Sequence, residues 1–125
     1  MRLVLDAGAL VAVDRRDRTI GALLRVAQQE RVPALTSAAV VAQVWRDGSR
    51  QANLARILAG VRTEGLSPEA GRQIGILLRR SRTADVVDGH IAVLATPGDR
   101  VLTGDTDDIT ALLATRVVDA VVQRV

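Results

Sequence analysis

The chain has 125 residues, 48% apolar and 25% charged, with a formal net charge of +3. That length and balance suit one folded domain, residues 1–125, rather than a disordered chain. It has no Cys, no Lys, one His (His90) and one Trp (Trp45), which excludes disulfide frameworks, thiolate sites, P-loop and Schiff-base lysines and paired-histidine metal sites.

Leu3-Val4-Leu5 is a continuous apolar run closed by Asp6, as in a strand buried on both faces. Ala7 to Leu10 begins a turn or short helix. Ile20, Leu23, Leu24 and Ala27 recur at helical spacing and predict a helix over about 16–30. Pro33 to Thr36 reads as a short strand. Ser37 is placed to cap a helix with Val40, Val41 and Val44 on one stripe, ended near Gly48. Leu54, Ile57 and Leu58 mark another helix, stopped near Gly60, and 61–66 reads as a short strand.

Ser67-Pro68-Glu69 is a strong helix start, a capping Ser with Pro at the first helical position. Ile74, Leu77 and Leu78 give that helix its buried face, and Arg79 to Arg82 is a basic exit. Residues 85–95 are helical again, with Val87, Ile91 and Leu94 on one side. Pro97-Gly98-Asp99 is a turn, and 101–103 a strand. Residues 104–108 lead into a helix with Ile109, Leu112 and Leu113, and 117–122 reads as a closing strand. Strands alternating with helices predict an α/β fold, a parallel sheet with helices on both faces.

All 17 cations are Arg, and Asp supplies 11 of the 14 acids. Carboxylates, hydroxyls and arginines are therefore the available chemistry. Asp6 closes the first strand and Asp105 follows the strand 101–103, at the strand ends where open parallel sheets bind ligands. Asp85 and Asp88 are three apart on one helix, and Asp107 and Asp108 lie beside Asp105. Asp6, Asp85 and Asp105 each have an ordinary alternative as turn or cap residues. Asp88 is harder to explain that way, because a mid-helix Asp beside Gly89 is locally unfavourable. Gathered carboxylates repel unless a cation offsets them, and a hard divalent cation suits oxygen ligands. Metal-assisted phosphodiester hydrolysis is the chemistry these residues support best.

Four segments in order resemble the motifs of PIN domains: LVLDAGAL at the start, VPALTSAAVVAQVWR over 32–46, ADVVDGHIAVLA over 84–95 and VLTGDTDDI over 101–109. The chain length is similar to that of the VapC toxins of bacterial toxin–antitoxin pairs. The resemblance implies a three-layer α/β/α sandwich with a mainly parallel sheet. It implies a Mg²⁺- or Mn²⁺-dependent ribonuclease neutralised by a small VapB-type antitoxin, as a homodimer or a toxin–antitoxin hetero-oligomer. Carried over by motif, Asp6, Asp88 and Asp105 are expected catalytic metal ligands, with Asp108 or Asp107 auxiliary and Asp85 a weaker candidate. Thr103 is expected to hold a carboxylate in place. One position departs from the pattern: the second motif has Glu in its helix, where this chain has Gln43. An amide offers a carbonyl oxygen but neither charge nor a base. Asp47 lies one turn further on, with no motif role.

Arg15, Arg16, Arg18, Arg46, Arg79, Arg80 and Arg82 are candidates for guiding RNA to the acids. The alternative reading is a PIN-fold module that grips RNA or a partner without cutting it, favoured by Gln43. Receiver-like and dehalogenase-like folds need a lysine near their acids, which this chain lacks. Trp45 is expected in the core or at an interface. No apolar run approaches the roughly 20 residues of a membrane span, and the segment after Arg2 is too short for a signal peptide. A cytoplasmic protein without a membrane partner is the expectation.

Overall fold

A computed structural model describes residues 1–125. Its elements, in chain order, are β1 (Leu3–Leu5), α1 (Ala7–Asp14), α2 (Arg18–Gln29), β2 (Ala34–Ser37), α3 (Ala38–Val44), α4 (Ala52–Leu58), β3 (Arg62–Glu64), α5 (Pro68–Ser81), α6 (Val86–Leu94), β4 (Arg100–Thr103), α7 (Thr106–Arg116) and β5 (Val121–Arg124). The expected alternation is present, and every strand pairing is parallel.

Local chemistry explains most boundaries. Ser67 caps α5 by accepting the Ala70 N–H at 3.1 Å, with Pro68 at the first helical position as expected. Asp17 caps α2 and Ser37 caps α3 in the same way. Gly98 takes a positive φ of 86° in the Pro97-Gly98-Asp99 turn. The closing strand starts later than the sequence suggests. Val117 adopts φ 58° and terminates α7, and the Val118 N–H donates to the Leu113 carbonyl at 3.0 Å, so pairing begins only at Val121.

The sheet order is β3-β2-β1-β4-β5. The chain steps outward from β1 to β3, then crosses back over β1 to β4. Right-handed crossovers place the helices of these two halves on opposite faces. Accordingly α1 packs with α2, α3 and α4, while α5, α6 and α7 pack on one another. The core between them is aliphatic: Val4, Leu5, Leu10, Val40, Ile91, Val101, Leu102 and Ile109 are all fully buried. Each such side chain contributes about 1.5–3 kcal/mol on burial. No helix is long and apolar enough to cross a membrane.

The reversal of strand order makes β1 and β4 a topological switch point. Crevices at such points, beyond the carboxyl ends of the strands, are where open α/β sheets bind ligands. Asp6 follows β1 and Asp105 follows β4 at that position.

Candidate functional site

β1 and β4 run in register, with Leu5 opposite Leu102. The next residues, Asp6 and Thr103, therefore meet. The Thr103 hydroxyl donates to Asp6 Oδ2 at 2.6 Å and accepts the Asp105 N–H at 2.9 Å. One buried hydroxyl thus fixes the Asp6 carboxylate and the start of the loop that carries Asp105. Asp6 is only 4% exposed, and its Oδ1 accepts the Ala7 N–H at 2.8 Å, capping α1. The ordinary role expected for Asp6 as a cap residue is thus present.

Asp88 reaches the same edge from the first turn of α6. Asp105 and Asp108 come from the start of α7, and their carboxylate oxygens and that of Asp88 all lie within 4.8 Å of one another. Asp6, expected as a ligand beside Asp88 and Asp105, is not one of these three, while Asp108 is; Asp6 lies near enough to raise the Asp88 pKa by repulsion. Asp105 occupies the capping position of α7 but makes no side-chain capping bond, which leaves its carboxylate to the cluster. None of the four carboxylates has an ion-pair partner; the three ion pairs are Arg2–Asp99, Arg50–Asp47 and Arg62–Glu64.

The electrostatic consequence falls on Asp88. Burial, then repulsion from Asp85, Asp6, Asp105 and Asp108, pushes its carboxyl up to about 7. The Asp108 carboxyl is also raised, first by a hydrogen bond to Asp105 that only its protonated form can donate, then by repulsion from the same residue. Hard oxygen donors at close spacing and without ion-pair partners suit a hard divalent cation.

The other expected site residues divide. Asp85 caps α6, accepting the Val87 and Asp88 N–H groups at 2.9 and 3.0 Å, and acts on the cluster only by repulsion. Asp107 is exposed beside the three and raises the Asp108 pKa. Gln43 is exposed on α3. Asp47 is held by Ser49 and Arg50, away from this role. Arg15 and Arg16 follow α1, Arg80 lies in the last turn of α5, and Arg82 caps it; all four are exposed and free of ion pairs. Arg46 is exposed too, but its guanidinium donates to the carbonyls of Ala42 and Trp45 at the end of α3. Trp45 is 37% exposed and lies over Gly48.

Two supports have no clear mark in the sequence. The Thr36 hydroxyl donates to the Leu5 carbonyl at 2.6 Å, securing the end of β1 just before Asp6. Ser37 Oγ and His90 Nδ1 share a buried hydrogen bond of 2.6 Å that ties α6, two residues beyond Asp88, to the end of β2. Burial holds the His90 pKa below its ordinary value, so the ring is kept neutral. The adjacent Thr-Ser pair is the available signal, but its partners lie far off in sequence.

The fold is that of a PIN domain, as the four segments implied. Among solved structures, the chain is similar to one in the VapBC2 complex of Rickettsia felis, bound to a DNA fragment from their promoter. The TM-score is 0.71, at 13% identity, over 100% of this chain and 99% of that one. At that identity the likeness is one of fold. No family model and no curated protein matches the chain.

Proposed function

We propose that this chain is a Mg²⁺- or Mn²⁺-dependent endoribonuclease acting as the toxin of a toxin–antitoxin pair in the cytoplasm. The observation that carries the reading is the group Asp88, Asp105 and Asp108, without ion-pair partners and with Asp6 nearby, at the switch point of the sheet. When bound, a hard divalent cation would offset the charge of these acids and of a phosphodiester and activate an attacking water. Asp6 is held ready as a ligand by Thr103. The Asp88 carboxyl, raised to about 7, is partly protonated at neutral pH and would give up that proton to serve as a ligand. Asp105 and Asp108 are exposed on the solvent side, where RNA enters. Arg15, Arg16, Arg46, Arg80 and Arg82 attract the polyanion toward this edge.

The test is cleavage of a broad RNA panel with Mg²⁺. The wild type cuts; Asp88→Asn and Asp6→Asn each lose about 100-fold or more, since changing a residue behind a metal ligand already costs about 10–100-fold. Cleavage undiminished in both variants would remove these residues from the site. A second reading, RNA gripping without cutting, is favoured by the neutral Gln43 where the family pattern has Glu. RNA retention with no metal-dependent cleavage across the panel selects it.

The R. felis structure is of a VapBC complex. By analogy a small VapB-type protein neutralises this chain, one of its arginines engaging the acid cluster. Expression alone should arrest growth, and co-expression with a small neighbouring antitoxin should restore it. Arrest that persists beside the cognate neighbour counts against the pairing.

A further inference from the structure

A second charged feature lies outside the acid cluster, between α2 and α4. Arg18, Gly21, Ala22 and Arg25 follow one stripe of α2 at helical spacing. Ala52, Asn53 and Arg56 face them from α4, and Arg16 closes the end of this trough at the α1–α2 turn. Between the two α2 arginines the floor is open, since a Cβ added at Gly21 would meet nothing within 4 Å. The single acid in the lining, Asp17, is engaged in capping α2, accepting the Ile20 N–H at 3.0 Å. None of the four guanidiniums has an ion-pair partner, and only Arg56 has a protein hydrogen bond, to Asn53.

Arginine forks match phosphate oxygens and hold them by charge-assisted pairs of hydrogen bonds. Arg18 and Arg25 are seven residues apart, about 10 Å along the helix, so the trough spans more than one phosphate. We propose that it binds the sugar–phosphate backbone of RNA, as an exosite for the substrate of the acid cluster; the identity of the polyanion rests on the ribonuclease reading. Ala22 and Ala52 are the only apolar side chains in the lining. An acidic amphipathic helix would have little there on which to bury its apolar face. No aromatic lines the trough, so RNA is held by its backbone rather than by stacked bases, with no sequence preference. The cleft beyond Arg25 and Arg56 is more apolar, with Ile20, Leu24 and Ile57, which makes an acidic peptide the competing occupant.

Fluorescence anisotropy with a labelled single-stranded RNA in EDTA tests this without cleavage. Arg25→Glu and Arg56→Glu should each weaken binding by about fivefold or more. Each should also flatten the slope of log K against log salt by about 0.7 for every phosphate no longer neutralised. Arg72→Glu, an exposed α5 position with the same charge change, should weaken it less than about twofold. Equal losses in all three variants would mean net charge alone, and would overturn the proposal. So would a wild type that does not bind. A labelled polyglutamate peptide that binds more tightly than RNA, and fails to bind the same two variants, reassigns the trough to an acidic protein segment. Because the cation is removed, the outcomes separate. RNA held here by a protein that never cuts leaves the trough standing and sinks the nuclease. Cleavage with wild-type RNA affinity in Arg25→Glu does the reverse.

Discussion

On the first turn of α6, Asp88 faces four other carboxylates, and the sign of their effect sets a pH dependence. Its ordinary pKa of 3.8 rises to about 7 in the fold. Below 3.8 the group is protonated whether folded or unfolded, and it subtracts nothing. As pH climbs toward 7 the unfolded chain releases the proton more readily, so stability is lost, fully so above about 7. His90 acts in the opposite direction below its ordinary value, because the fold keeps it neutral. The informative quantity is therefore the difference from Asp88→Asn. In EDTA, the melting temperature of the wild type relative to Asp88→Asn should fall between pH 5 and pH 8. Mg²⁺ should restore more at pH 8 than at pH 5. Parallel curves for the two proteins would contradict the shift. At this scale the sequence exposes the acids well, because Asp6 and Asp105 follow strands and Asp88 lies inside a helix, three residues after its cap Asp85. It does not expose Thr36 to Leu5 or Ser37 to His90, because those bonds join a strand to its neighbour and a strand to a helix, residues far apart in the chain.

Two elements touch backbone to backbone beside the acids. A Cβ at Gly8, in the first turn of α1, would stand 2.6 Å from the Gly104 nitrogen and 3.0 Å from its Cα. Backbone cannot swing aside as a side-chain end can, so Gly8→Ala must displace the β4–α7 loop that carries Asp105. The expected result is a stability loss of about 1–3 kcal/mol, with RNA cleavage falling as the acids separate. Gly75→Ala, in mid-α5 with nothing within 4 Å, should instead stabilise by up to about 1 kcal/mol. Calorimetry and cleavage rates on both variants check the contrast; wild-type cleavage in Gly8→Ala would show that the close approach does not position Asp105. Neither glycine announces its role, since Ala-Gly-Ala and Thr-Gly-Asp read equally well as turns. The closing strand misleads for a related reason. Val117 and Val118 look like strand residues, yet the αL conformation at Val117 makes them the end of α7.

At the scale of the molecule, the two ends of the central strands differ in how their charges are compensated. On the amino side, Arg2 and Asp99 neutralise each other at 2.6 Å, and Asp99, 2% exposed, also accepts from Thr96. On the carboxyl side the clustered carboxylates have no ion-pair partner, and Arg124, the cation bonded beside Asp105, donates to the Gly104 carbonyl and the Thr106 hydroxyl instead. The alternation of strands and helices makes the parallel sheet legible in the sequence. The order β3-β2-β1-β4-β5 is not legible there, because it is fixed by which face each crossover covers. That order brings aspartates scattered in the chain to one end of the sheet, where cation binding can be tested at a single place. Anomalous diffraction from a crystal soaked in Mn²⁺ should show a peak bound by Asp88, Asp105 and Asp108, with Asp6 adjoining. A cluster still empty at saturating Mn²⁺, or Mn²⁺ bound only elsewhere, would contradict the account.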